Sequence, residues 1–168
     1  MSRNILLTGR PGCGKSTVVR RAVDRLETVA GGFWTEEIRE GHRRVGFRVE
    51  DIRTGRRGVL AHADYTTGPR VSKYRVDVAA FERVGVAAVQ AALGREGWIV
   101  IDEVGKMELF SNGFPKVVTA ALDARQPLLA TVARHRHPFI NAIRQRRDVQ
   151  MIEVTPENRE GLPEHLVP

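Results

Sequence analysis

Apolar residues fall into short blocks separated by polar, glycine-bearing segments, and the period within each block changes along the chain. Asn4-Ile5-Leu6-Leu7-Thr8 is an almost unbroken apolar run, the pattern of a strand buried on both faces. It enters a glycine-rich segment without a break. Val19, Ala22, Val23 and Leu26 then recur at i, i+3, i+4 and i+7, which predicts a helix with one apolar face, ended by Gly31-Gly32. Over residues 32–61 the texture changes. Val45, Phe47 and Val49 alternate with charged or small residues, and polar turns at "REGH" and "RTGRRG" divide the stretch. The pattern predicts an antiparallel three-strand meander inserted after the first helix, its arginine-rich faces turned to water.

Residues 65–74 carry Gly68-Pro69 and read as a loop. Asp77 suits a helix N-cap. Gly85 interrupts the apolar pattern that follows, so a short helical turn, a break, and a helix over residues 86–93 are expected. "WIVIDE" and "PLLATVA" are two further buried strands, and "VQMIEVT" is a last one. Helices are expected from Phe114-Pro115 to about Ala124, over residues 138–146, and from Pro156 onward. Buried strands alternating with helices predict an α/β fold: a mostly parallel sheet sandwiched by helices, with the meander extending one edge. No internal repeat or long linker divides the chain, so residues 1–168 are expected to form one domain.

Composition narrows the class. No apolar run approaches the roughly 20 residues needed to span a bilayer. Met1-Ser2-Arg3 leads directly into the first strand with no cleavage-site pattern, and Cys13 is the only cysteine. A cytoplasmic protein with no membrane partner and no internal disulfide is expected. The net charge is +7, from 27 Lys+Arg against 20 Asp+Glu. The basic residues are scattered, and no aromatics are interleaved for base stacking. Nucleic acid therefore ranks below a small polyanion as a partner, and a monomer is expected.

The chemistry begins at Gly9-Arg10-Pro11-Gly12-Cys13-Gly14-Lys15-Ser16, which fits G-x-x-x-x-G-K-[ST] with a strand before it and a helix after it. Glycines let the backbone curl so that N–H groups point at phosphate oxygens, and the helix N-terminus adds its dipole. Lys15 neutralises phosphate charge, and Ser16 offers a hydroxyl to Mg²⁺. This is a phosphate-binding loop, and it makes the fold a P-loop NTPase fold. Cys13 reads as a small tolerated residue rather than a reactive thiol.

The second constellation is "WIVIDEVGKMELF", where a buried strand ends in Asp102-Glu103 about 85 residues after the loop. Asp102 is expected to order Mg²⁺ opposite Ser16, and Glu103 to orient a water in line with the γ-phosphate. A kinase gains nothing from a carboxylate tuned to activate water, whereas a hydrolase needs one. The pair therefore tilts the reading toward hydrolysis.

"TGRPGCGKST", "GGFWTEEIREGHRRVGFRVED", "IVIDEVGKMELFS" and "EVTPENREGLPEHL", in that order, resemble the thermophile-type nucleoside-triphosphatase (THEP) family over essentially the whole chain. The resemblance implies Mg²⁺-dependent hydrolysis of nucleoside 5′-triphosphates to diphosphates with modest base selectivity. It also maps two nucleotide-binding segments onto residues 8–16 and about 99–106. The candidate nucleotide-binding residues are Thr8, Gly9, Arg10, Pro11, Gly12, Cys13, Gly14, Lys15, Ser16 and Thr17, joined by Asp102, Glu103, Lys106, Arg134 and Asn158. Among these, Glu103 and Lys15 are the catalytic candidates, and Ser16 and Asp102 the metal ligands.

Other residues stay open at this level. Lys106 reads either as meeting phosphate charge or as a surface lysine. Glu37 and Arg39 follow the first helix and either reach the site or belong to a solvated hairpin. Arg134, after "PLLATVA", is the best candidate for a charge-stabilising arginine in cis. His135 and His137 read as exposed rather than as a zinc site. Asn158 and Arg159 either flank the nucleotide base or close a turn. Two rivals to the hydrolase remain: a nucleoside or small-molecule kinase, and a nucleotide-dependent switch that binds RNA or protein.

Overall fold

Alternate residues of β1 (Asn4–Thr8) enter two different apolar clusters, Leu6 on one face and Ile5 and Leu7 on the other. That two-sided burial is what its apolar run requires. The computed structural model describes residues 3–168; Met1 and Ser2, where the chain-start expectation lies, are outside the described residues. The remaining strands are β2 (Val29–Glu40), β3 (Arg43–Asp51), β4 (Arg57–His62), β5 (Arg70–Val71), β6 (Tyr74–Val76), β7 (Trp98–Val104), β8 (Leu128–Val132) and β9 (Val149–Glu153). They form one sheet in the order β5-β6-β4-β3-β2-β7-β8-β1-β9.

The half β2-β7-β8-β1-β9 is parallel, and the half from β2 to β5 is antiparallel. β2 belongs to both. Its start pairs with β7 through Phe33↔Ile101, and its continuation from Phe33 to Glu40 pairs with β3. The expected edge extension is therefore present. It also includes β5 and β6, where a loop was expected, because Arg70-Val71 and Tyr74 close a tight hairpin whose strands are too short for periodicity to reveal.

Helices cover both faces. α1 (Lys15–Val23) and α6 (Pro163–Leu166) pack on the smaller cluster with Val18, Val19, Ala22, Leu166 and Val167. α1 ends at Val23, short of the expected glycines. Gly31 and Gly32 lie inside β2, and Leu26 packs on the same cluster from beyond the helix end. The other face carries α2 (Val78–Phe81), a π-helical turn (Glu82–Val86), α3 (Ala87–Ala92), α4 (Gly113–Asp123) and α5 (Pro138–Arg144). Asp77 caps α2, accepting from Ala80 N at 2.9 Å.

Gly85 does not break this helix. The chain widens into a π turn there, and a Cβ at Gly85 would lie 2.5 Å from the Phe81 ring. That ring meets Phe33 at 5.3 Å and Phe114 at 5.1 Å, joining α2, β2 and α4 in one aromatic cluster. The last helix begins at Pro163 rather than Pro156, because residues 156–162 form successive turns. Among the described residues no helix is long and apolar enough to cross a membrane.

Candidate functional site

The strand order decides what meets the glycine-rich loop. β8 lies between β1, which feeds the loop, and β7, which ends in the two acids. The C-terminal ends of these parallel strands open on one side of the sheet, where an α/β sheet binds ligands. Gly14 at φ +103 precedes α1 and has no side chain to cap the helix, so among the described residues the first-turn N–H groups have no side-chain partner. Gly9 is required by close packing as well as by its φ of +154. A Cβ there would come within 2.7 Å of Cys13 Sγ and 2.8 Å of Val154 O. Cys13 is partly buried and packs on the cluster beneath α1.

Lys15 Nζ donates to Gly9 O at 3.0 Å and lies 3.8 Å from Glu103 Oε2. The loop lysine and the second acid are thus brought together across β8. Asp102 is buried at 2 % exposure. Its Oδ1 accepts from the Thr131 hydroxyl on β8 at 2.7 Å, while its buried Oδ2 has no hydrogen-bond partner among the described residues. Ser16 and Asp102 line the same small cavity. A hydroxyl and a carboxylate with an open oxygen form the hard-oxygen donor set that Mg²⁺ takes, so the residues fit that ion. The peptide joining Asp102 to Glu103 is cis.

Burial sets the electrostatics. It pushes the Asp102 carboxyl above its usual range, against the hydroxyls of Thr131 and Ser16 and the charges of Arg20 and Lys15. Burial also raises Glu103; Lys15 opposes this and Asp102 adds to it. A third acid was missed from sequence. Glu108, fully buried after the strand, is pushed well above the usual carboxylate range by burial and then by the charge of Glu103. The two glutamates flank Gly105, where a Cβ would lie 2.7 Å from Glu103 Oε1 and 3.0 Å from Glu108 Oε2.

A cleft of about 790 Å³ runs over the loop, lined by Gly9, Gly12, Lys15, Ser16, Thr17 and Glu103. Arg134 enters it from the end of β8, as expected from strand position; Ala133 and His135 line it too, so His135 is half-buried in the cleft rather than exposed as its polar surroundings suggested. Arg134 is ion-paired to Glu153 at the end of β9. Glu37 also lines the cleft, together with two residues that sequence reasoning missed, Arg44 and Phe47. The edge extension therefore contributes directly to the site. Arg39 pairs with Glu37 at 2.7 Å and does not line the cleft.

A second cavity of about 400 Å³ lies on the β9 side of the loop, between Arg10, Pro11 and Cys13 and the segment 153–157. Asn158 is committed to closing the turn beside it. Its Oδ1 accepts from Thr155 N and its Nδ2 donates to Glu153 O, each at 2.8 Å. Arg159 lies over the loop, its Cδ 3.3 Å from where a Cβ of Gly14 would sit. Thr8 is at the end of β1, its hydroxyl buried without a partner among the described residues. Lys106 is exposed, outside the cleft, and pairs with no carboxylate among the described residues. His137 caps α5, accepting from Phe139 N at 3.1 Å.

A family model described as NTPase matches residues 4–167. The nucleoside-triphosphatase THEP1 of Natranaerobius thermophilus is 44% identical over 167 residues, covering 97% of this chain and 93% of that protein. The THEP1 of Thermotoga maritima is 40% identical over 158 residues, covering 94% and 90%. Among solved structures, THEP1 from the hyperthermophile Aquifex aeolicus superposes with a TM-score of 0.88 at 36% identity, covering 98% of this chain and 96% of that one. The solution structure of a human cancer-related nucleoside triphosphatase gives 0.80 at 35% identity, covering 98% and 95%.

Proposed function

Since the chain belongs to the NTPase family, we infer that it is a nucleoside-triphosphatase that cleaves the terminal phosphoanhydride with water, giving a nucleoside diphosphate and phosphate. The observation that carries the mechanistic reading is the convergence of Lys15 and Glu103 at 3.8 Å in one cleft, beside the buried Asp102.

In this reading the backbone N–H groups of residues 9–16 and the Lys15 ammonium hold the β- and γ-phosphates. Glu103 accepts a hydrogen bond from the attacking water and aligns it with the γ-phosphorus. Its raised proton affinity suits a group that takes up the water's proton. Thr131 fixes Asp102 through Oδ1 and leaves Oδ2 free for a ligand. The Ser16 hydroxyl and Asp102 would hold Mg²⁺, which supplies positive charge to the phosphate oxygens as the bond breaks. Ribose and base would occupy the cavity beside Pro11, Cys13 and Pro156. Asn158, able both to donate and to accept, is spent on backbone groups there, which supports a broad base range. The loop, both acids and the hairpin lie on one continuous sheet, which supports reading them as one catalytic domain.

The test is phosphate release from ATP, GTP, CTP and UTP with Mg²⁺ and no added acceptor. Release from all four, abolished by EDTA, is expected. Turnover that begins only when an acceptor alcohol is added would assign a kinase instead.

A further inference from the structure

The edge extension contributes a cation to the cleft that the strand pattern hides. Along a regular strand, Arg44 and Phe47 would face opposite sides, because side chains alternate with a period of two. Here Glu37 pairs with Phe47 and Ile38 with Gly46, but Arg39 pairs with Arg44. Val45 is therefore an extra residue in β3, a bulge that resets the alternation. It brings Arg44 onto the face that already carries Glu37, Arg39 and Phe47. Bulges recur beside active sites, where they re-aim a side chain. Glu37, Arg44 and Phe47 all line the cleft over the phosphate-binding loop.

The guanidinium is held in place. Nε donates to the Tyr74 hydroxyl at 2.9 Å and Nη1 to Glu37 Oε1 at 3.2 Å. Its carbon sits 5.1 Å from the Phe47 ring and 5.8 Å from the Tyr74 ring. Glu37 is itself pinned by Arg39 at 2.7 Å. The Arg44 side chain is 45% exposed, so a ligand entering the cleft can reach it. The network is anchored on strands rather than on a loop, so little conformational freedom is lost when the guanidinium meets a ligand.

Position separates Arg44 from Arg134. Arg134 is drawn toward β9 by Glu153, on the side of the loop where the second cavity opens. Arg44 belongs to the opposite side. Its neighbours Glu37 and Phe47 share a cavity with Ser16, Asp102 and Glu103. We propose that Arg44 is the arginine that meets the γ-phosphate, supplied in cis by the bulged hairpin rather than by the end of β8. This rests on the reading above that the γ-phosphate lies at the Glu103 end of the cleft. Arg44 would bind the γ-phosphate oxygens as the terminal bond lengthens and negative charge spreads over them.

The test is steady-state phosphate release by Arg44→Ala, Arg44→Lys and Arg134→Ala at saturating MgATP, each scored against wild type. Arg44→Ala is expected to lower kcat by at least about 100-fold with KM within about threefold, the size of losing one preorganised donor. Arg44→Lys should not restore kcat, because an ammonium cannot span two oxygens. Arg134→Ala, which also removes a cleft residue, should lower kcat by less than Arg44→Ala does. ADP with aluminium fluoride should bind Arg44→Ala more weakly than wild type, while ADP alone binds equally well. Urea unfolding of Arg44→Lys checks that the fold is intact. A kcat within threefold of wild type in Arg44→Ala overturns the proposal, as does a loss confined to KM or a larger loss in Arg134→Ala. Glu103→Gln run alongside tests the hydrolase reading by itself. The aluminium fluoride binding comparison holds whether water or an alcohol accepts the phosphate.

Discussion

Besides burial, the Glu103 carboxyl answers to its charged neighbours: Lys15 lowers its proton affinity, Asp102 raises it, and Glu103 in turn raises that of Glu108. Replacing it with glutamine keeps the shape and removes the proton acceptor. Glu103→Gln should therefore lower phosphate release about 10²–10⁴-fold and leave nucleotide affinity nearly unchanged, as measured by kcat and by binding of a fluorescent nucleotide. Unchanged turnover would falsify the assigned role. Glu108 gives a second test, of stability. Its folded proton affinity is raised, so the folded state holds the proton more tightly than the unfolded chain. Its contribution is fully present below the ordinary glutamate range and is lost as pH climbs through the raised value. Urea unfolding across pH should show wild type losing stability relative to Glu108→Gln as pH rises, by at most about 1.4 kcal/mol per unit for one proton. A pH-independent difference between the two proteins refutes this. The loop and the Asp102-Glu103 pair are legible in the sequence because each is a contiguous motif. Thr131 and Glu108 were not, because only strand pairing and chain return bring them to the acids.

Elements were legible where the pattern was long. The parallel strands β1, β7 and β8 follow from their apolar runs and the meander from its alternation, but the parallel start of β2 was hidden by Gly31-Gly32, which read as a helix end. The bulge at Val45 escaped because it breaks the very period used to read the strand, and so Arg44 was assigned to water. The π turn escaped for a related reason. Gly85 reads as a helix breaker by propensity, yet its missing side chain makes room for the Phe81 ring one turn back. Packing decides the outcome, since that ring lies against both Phe33 and Phe114. Gly85→Ala raises helix propensity but forces a methyl into the ring, so overpacking should dominate. A net loss of about 1–3 kcal/mol is expected in urea unfolding. A gain in stability would mean that propensity outweighs the aromatic cluster.

At the scale of the whole molecule, sequence alone could not order the sheet. "WIVI" and "LLATV" are both two-sided apolar runs, and nothing in their hydrophobicity says which lies beside β1. The arrangement found, with β8 between the loop strand and the acid strand, has a physical consequence. The loop and α1 rest on the smaller cluster with α6, while the acids end a strand whose neighbours anchor the larger one. A nucleotide that touches the loop, Glu103 and the hairpin adds to the side-chain links already there, Lys15 to Glu103 and Arg20 to Glu36. Ligand held by the folded state alone adds stability by mass action, about 2.7 kcal/mol at 100 times Kd. For a chain of this size that corresponds to roughly 5–10 °C in Tm. Thermal unfolding with saturating MgADP should show a rise of that order. Lys15→Ala should unfold near the wild-type apo temperature and lose most of the rise, because the substitution removes the charge that meets the phosphates and, among the described residues, one hydrogen bond to Gly9 O and a 3.8 Å ion pair with Glu103. An equal rise in both proteins would place the nucleotide away from the glycine-rich loop.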